Sequence, residues 1–171
     1  MGPSHEGGLI KDVKLTYGQV EAQANQLCRY LMAKGITPGS NVSIFLDRST
    51  TFYIAMLAVL KAGCAYVPLD PEHPEDRLKY ILEDSNAQVL ITWSSLGARL
   101  SDVSNVAFIH LDGSQDRHCI QQQSVTRPVV SGTHPDLLCY ILYTSGSTGK
   151  VSRSTVAVVR STIVVKLGQP W

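Results

Sequence analysis

Residues 138–150 have the sequence LCYILYTSGSTGK, in which a run of strand-forming residues ends in a loop of glycines and hydroxyls. Gly146 and Gly149 can adopt positive φ and carry no Cβ, so successive backbone N–H groups can converge on an anion. The stretch also supplies hydroxyl donors and one positive charge, from Thr144, Ser145, Ser147, Thr148 and Lys150. We therefore predict that this loop binds a phosphate group.

Two other interpretations of the loop stay open. The Walker A motif of P-loop NTPases requires Gly, four residues, then Gly-Lys followed by Ser or Thr. In this chain the first of those positions is Thr144 and the last is Val151, so the motif is incomplete. A flexible turn rich in serine and glycine would have a similar composition.

Strand-like and helix-like segments alternate in the sequence before Asp136. Period and composition predict strands at residues 13–15, 42–46, 65–67, 89–91 and 106–111, and helices from Thr16, from about residue 51 to 62, and from Pro74. This alternation predicts an α/β layered domain with a largely parallel sheet flanked by helices. In such sheets ligands bind beyond the carboxyl ends of the strands, which is where the glycine loop would lie.

Local signals mark the ends of the first two helices. Thr16 and Gln19 have the spacing of a capping box, and Gly35 ends the helix that follows. Ser49 can cap the second helix, and Gly63 ends it. Because this second helix is apolar nearly all round, we expect it to lie inside the molecule.

Composition divides the rest of the chain. We expect residues 1–12 to be a disordered lead-in, residues 13–150 to form the domain, and residues 151–171 to be a divergent tail that is poorly ordered or forms a short helix or strand. Residues 112–135, and the segment between the last two strands named above, are polar and poorly periodic. We predict loops there, with Gln121–Gln123 as the least structured part.

Composition also restricts the partners. The chain of 171 residues is 44% hydrophobic and 17% charged, with a formal net charge of +1. No block of like charge and no apolar run of about 18 residues is present, so we expect neither a nucleic-acid nor a membrane partner. Cys28, Cys64, Cys119 and Cys139 lack C-x-x-C spacing and are predicted to be buried, reduced thiols. The histidines lack i, i+4 pairing, so no metal site is predicted, and a cytoplasmic location fits.

Three stretches resemble core motifs of one family, the adenylation domains of nonribosomal peptide synthetases in the adenylate-forming AMP-dependent synthetase/ligase superfamily. They are LTYGQV at residues 15–20, LKAGCAYVPLDP at residues 60–71 and YTSGSTGK at residues 143–150. The second resembles its motif almost letter for letter over twelve consecutive positions and is the most specific. Within it we assign structural roles to Lys61, which faces the negative end of a helix dipole, and to Asp70, a turn residue.

The resemblance covers about residues 13–150 and implies the truncated N-terminal part of an adenylate-forming enzyme fold. It implies ATP with Mg as cofactor, an amino acid as substrate and a peptidyl carrier protein whose phosphopantetheine thiol receives the product. Thr144–Lys150 would be the phosphate loop, and no residue is assigned as catalytic or as a metal ligand. Family members continue with Pro-Lys-Gly, where this chain has Val151-Ser152-Arg153.

The resemblance also places the family's substrate pocket, adenine segment, magnesium ligand and catalytic lysine beyond residue 171. We therefore expect this chain to be catalytically incomplete on its own. Two alternatives are a small nucleotide-binding or interaction module that reuses the fold, and a non-functional remnant of a truncated gene.

Overall fold

The computed structural model describes residues 14–145, 151–159 and 162–167, and after Tyr143 it describes the backbone alone. Helices and strands alternate in the order α1 (Tyr17–Ala33), β1 (Asn41–Phe45), α2 (Thr50–Lys61), β2 (Ala65–Pro68), α3 (Glu75–Asp84), β3 (Val89–Thr92), α4 (Ser94–Gly97), a 3-10 turn (Ala98–Leu100), β4 (Ala107–His110), α5 (Ser114–Gln121), β5 (Leu138–Ser145), β6 (Val151–Val159) and β7 (Thr162–Leu167). The predicted lead-in, residues 1–12, lies outside the described residues.

The strands form one sheet in the order β4-β3-β1-β2-β5-β6-β7. The four pairs among the first five strands of this order are parallel, whereas the pairs β5–β6 and β6–β7 are antiparallel. The predicted α/β class with a largely parallel sheet is therefore confirmed. Within residues 151–171 the structure has two strands, more than the short helix or strand predicted for this tail, and β7 finds its partner in β6.

Helices cover both faces of the parallel part of the sheet. On one face α1 and α2 pack on Val42 and Ile44, with α5 beside them. On the other face α3 and the 3-10 turn pack on Phe45, Val67 and Leu90. Strand β1 lies between these two layers, and four of its five residues are buried, the apolar Val42, Ile44 and Phe45 together with Ser43.

The two predicted helix starts are confirmed. The Thr16 hydroxyl accepts from the Gln19 N–H at 3.3 Å, and the Gln19 side chain accepts from the Thr16 N–H at 2.8 Å. The Ser49 hydroxyl accepts from the Phe52 N–H at 3.4 Å and caps α2. Gly63 takes φ +72° just after α2, in the left-handed conformation that ends helices.

Two predictions near these helices are wrong. Lys14 and Leu15 do not form a strand, and Val13 lies outside the described residues. Helix α2 is not enclosed, because Tyr53 is 56% exposed and only one face of the helix is buried. The apolar composition of α2 therefore led to a prediction of more burial than the structure shows.

The polar stretch after β4 contains a helix that the sequence did not predict. Helix α5 has no fully buried residue. It is held by Asp116, whose carboxylate accepts from the Tyr30 hydroxyl at 2.5 Å and from the His110 N–H at 2.8 Å. Gln121 ends this helix, so the prediction that Gln121–Gln123 is the least structured part is wrong. Helix α4 lies between β3 and β4, in the other stretch for which a loop was predicted.

All four cysteines are free thiols. Cys28 and Cys64 are buried, as predicted, and burial raises the pKa of each to about 11. Cys119 and Cys139 are only half-buried. Among the helices of the described residues, none combines the length and apolarity needed to cross a membrane.

Candidate functional site

The parallel strands end at one edge of the sheet. Strands β1, β2, β3, β4 and β5 run the same way, so their carboxyl ends lie side by side. The last residues of these strands are Phe45, Pro68, Thr92, His110 and Ser145. This is the edge at which open α/β sheets bind their ligands.

The predicted phosphate loop begins at this edge. Thr144 and Ser145 are the last two residues of β5, and Ser145 pairs with Val151, the first residue of β6. The five residues between them, Gly146, Ser147, Thr148, Gly149 and Lys150, connect the two strands and lie outside the described residues. Their role in binding phosphate stays a prediction, as does that of Thr144 and Ser145.

The two most specific sequence motifs lie on neighbouring strands. The stretch at residues 60–71 contains the end of α2, all of β2 and the loop that follows, while residues 138–145 form β5. Tyr66 of β2 pairs with Tyr140 of β5, and their ring centroids are 5.5 Å apart. The sequence does not reveal the order of strands in the sheet, so only the structure shows that β2 and β5 are neighbours.

Lys61 lies in the last turn of α2 and Asp70 in the loop after β2, the positions predicted for them. The Lys61 ammonium forms an ion pair with Glu21 of α1 at 2.7 Å, and this hydrogen bond lowers the pKa of Glu21. The Asp70 carboxylate accepts from the Glu72 N–H at 3.0 Å, which is an Asx turn.

The loop after β2 is fastened by a residue that sequence reasoning missed. Arg99, in the 3-10 turn, donates to the carbonyl oxygen of Pro71 at 2.8 Å and to that of His73 at 3.0 Å. An arginine that donates to two carbonyls holds the loop in one conformation. Nothing in the sequence connected Arg99 to this loop.

Asp112 follows the carboxyl end of β4, the outermost of the parallel strands. Its carboxylate accepts from both the N–H and the hydroxyl of Ser94, each at 2.8 Å. Burial raises the pKa of Asp112, but the hydrogen bonds from Ser94 outweigh it, so the pKa lies below its ordinary value. Asp112 is therefore ionised at neutral pH and fixes the start of α4.

A second missed contact reaches the strand that leads into the loop. The Tyr143 hydroxyl donates to the Asp84 carboxylate at 2.5 Å. The sequence did contain a signal here, because Asp84 is an acidic residue at the C-terminus of α3, where the helix dipole disfavours negative charge. Within the described ranges, no three His, Cys, Asp or Glu side chains converge on a possible metal position.

Comparison with known proteins identifies the family. The model of a family described as AMP-binding enzyme matches residues 8–151. The chain belongs to this family. The match corresponds to the N-terminal portion of an adenylation domain of the nonribosomal peptide synthetases, as the motifs indicated.

Two curated relatives illustrate the similarity. Bacitracin synthase 3 of Bacillus licheniformis is 40% identical over 148 residues, which are 86% of this chain and 2% of that protein. Gramicidin S synthase 2 of Aneurinibacillus migulanus is 39% identical over 148 residues, 86% of this chain and 3% of that protein. The chain thus spans a small fraction of the length of either relative.

Solved structures share the fold. The N-terminal subdomain of NpsA from Klebsiella oxytoca matches with a TM-score of 0.69 and 28% identity, over 86% of this chain and 36% of that one. The nonribosomal peptide synthetase FmoA3, in a form bound to α-methyl-L-serine-AMP, matches with a TM-score of 0.74 and 24% identity, over 87% of this chain and 16% of that one. The second likeness shows the fold alone.

Proposed function

We propose that this chain supplies the phosphate-binding, N-terminal part of an enzyme that activates an amino acid with ATP. The observation that supports the proposal is that β5 ends, and β6 begins, where the carboxyl ends of the parallel strands lie, which is where open α/β sheets bind ligands. In the sequence, the YTSGSTGK stretch runs from the end of β5 to the residue before β6. Family membership, with bacitracin and gramicidin S synthases among the relatives, supports it.

In the proposed reaction a carboxylate oxygen of the amino acid attacks the α-phosphorus of ATP. The bond from that phosphorus to the bridging oxygen breaks, pyrophosphate leaves, and aminoacyl-AMP forms. The aminoacyl group would then pass to the phosphopantetheine thiol of a peptidyl carrier protein, with release of AMP. These steps belong to the whole enzyme, of which this chain would provide the phosphate contacts.

The loop would act by position and charge. Backbone N–H groups at Gly146 and Gly149, the hydroxyls of Thr144, Ser145, Ser147 and Thr148, and the Lys150 ammonium would hold the β- and γ-phosphates. Mg²⁺ would come with the nucleotide, bound mainly by its phosphates, and would neutralise the charge of the leaving pyrophosphate. The loop forms no covalent intermediate in this scheme.

We further propose that the chain alone binds ATP weakly and does not turn over. It covers 36% of the NpsA subdomain, and the remaining adenine, ribose and amino-acid contacts would come from elsewhere in such a subdomain. Phosphate contacts by themselves offset little of the entropy lost on association, so we expect a dissociation constant of about 1 mM or weaker.

The test compares glycine variants by NMR titration with Mg-ATP. Gly149→Ala should remove the shift changes at the loop, because a Cβ would obstruct the approach of phosphate to the backbone. Gly18→Ala is the matched control, since Gly18 lies in the first turn of α1 with open space around its Cβ position. Binding that is equal in both variants would contradict a phosphate role for the loop.

Three further outcomes separate the alternatives. Tight, loop-dependent binding of ATP would favour an independent nucleotide-binding module. ATP–pyrophosphate exchange by the purified chain with any amino acid would show that it is catalytically complete. Absence of protected amides in the predicted core during hydrogen exchange would favour a non-functional remnant.

A further inference from the structure

The strand that leads into the predicted phosphate loop has few backbone pairs with the parallel sheet. Strand β5 has one registered pair with β2, Tyr66 with Tyr140. By contrast, β1 and β2 have four registered pairs, and β5 and β6 have seven. The hairpin of β5 and β6 therefore has more registered pairs within itself than with β2, and side-chain contacts can add to this pairing in fixing its position.

Tyr143 is well placed to do this. It is two residues before the end of β5, and its ring packs against the buried cluster that contains Leu78, Ile81 and Leu82 of α3. Its hydroxyl donates to Asp84 at 2.5 Å. The contact therefore joins the end of the loop-bearing strand to a helix that is itself fixed in the core.

Asp84 is unfavourable for α3 taken alone. The first turn of this helix carries Glu75 and Asp76, which complement its dipole, whereas the last turn has no basic residue and ends at Asp84. A negative charge at a helix C-terminus costs stability. A local conflict of this kind is typical of a residue whose role lies in a tertiary contact, and the partner here is Tyr143.

We propose that Asp84 and Tyr143 form a positioning pair that fixes the end of β5, and with it the phosphate loop, against α3. Tyr143 touches no phosphate in this scheme. It sets where the loop begins relative to the carboxyl ends of β1 and β2. The consequence for nucleotide binding rests on the proposed function, whereas the anchoring of β5 does not.

Hydrogen exchange on the whole chain tests the anchor. In Tyr143→Phe, amides of β5 and of the start of β6 should exchange about tenfold faster, because a hydrogen bond to a charged group is lost while the ring stays. Amides of α1 should not change. Tyr140→Phe is the matched control, since it removes a hydroxyl from the same strand at a residue whose described contact is ring to ring.

Two results would overturn the anchor. One is exchange in Tyr143→Phe that matches the Tyr140→Phe control. The other is acceleration by the same factor throughout the chain, which would mean that the hydroxyl contributes only to global stability.

A double-variant cycle tests whether the two residues act together. Asp84→Asn should accelerate the same amides, and the combination with Tyr143→Phe should add little further, because either change already breaks the bond. Additive effects would overturn the pair. Asp84→Asn also removes the negative charge that opposes the dipole of α3, so it should not destabilise this helix. Faster amide exchange in β5, with unchanged exchange in α3, would therefore indicate a role in the tertiary contact rather than a general structural role.

Binding of Mg-ATP, followed by NMR, separates the anchor from the proposed function. If both hold, Tyr143→Phe should weaken binding by a few fold, whereas Tyr140→Phe should not. If the wild-type chain shows no loop-dependent binding but the exchange result is as expected, the anchor stands and the proposed function fails. If exchange at β5 is unaffected, the positioning pair fails whatever the binding result.

Discussion

Replacement of Gly63 by alanine should destabilise the fold through two separable effects. Gly63 follows α2 with φ +72°, a conformation that L-residues with a Cβ rarely adopt. A Cβ built there would lie 2.9 Å from Thr133 Cγ2 and 3.1 Å from Pro38 Cβ. The first effect concerns the backbone alone, and the second concerns crowding against two neighbouring segments.

The magnitudes can be estimated separately. The left-handed backbone costs about 1 kcal/mol for alanine, after allowance for its smaller entropy loss on folding. Overpacking against Pro38 and Thr133 adds about 1–3 kcal/mol, because the proline ring can move little. We therefore expect Gly63→Ala to lower the free energy of unfolding by about 2–4 kcal/mol.

Gly35→Ala is the control. Gly35 also follows a helix and has φ +88°, but no atom lies within 4 Å of its Cβ position. It should therefore show the backbone cost alone, about 1 kcal/mol. Urea unfolding followed by far-ultraviolet circular dichroism measures both variants. Equal destabilisation of the two would refute the packing argument, and a Gly63 variant as stable as wild type would refute both parts.

Three other predictions concern residues outside the loop. Ser49→Ala should lower the free energy of unfolding by about 1 kcal/mol in urea, because the N-cap of α2 is lost. Cys28 and Cys64, whose pKa burial raises to about 11, should resist iodoacetamide at pH 8 until urea unfolds the chain, as peptide mass spectrometry would show. The hydrogen bond from Lys61 lowers the pKa of Glu21, so the stability advantage over Glu21→Gln should be full at pH 7 and should disappear as the pH falls through the folded pKa. An advantage independent of pH would contradict this pairing.

The parts of the fold that depend on local chemistry could be predicted from the sequence. Thr16, Gln19 and Ser49 satisfy backbone groups within three residues, so their spacing is sufficient evidence for a helix start. Strands β1, β2 and β3 were predicted because each is a short, mainly apolar run between turn residues. The phosphate role of the glycine loop stays a prediction from composition and from resemblance to the family.

The parts that depend on distant partners could not be predicted. Helix α5 has little apolar surface and is held by Asp116 and by amide side chains of α1, including Gln26, which donates to the carbonyls of Gln121 and Gln123 at 3.0 Å each. These contacts join residues 86 to 97 positions apart, and no periodic pattern in the sequence indicates them. The hydrogen bond between Asp84 and Tyr143 joins residues 59 positions apart, and the acidic end of α3 did not indicate which partner it has.

The carboxylate of Asp116 also affects how this protein meets other chains. Strand β4 is the first strand of the sheet, and the N–H of His110 points away from β3, toward the position an added strand would take. Asp116 occupies that donor, so an incoming β-strand would lose a hydrogen bond and meet a negative charge. We therefore expect this flank to resist strand exchange and fibril growth, a protection that Asp116→Ala would remove.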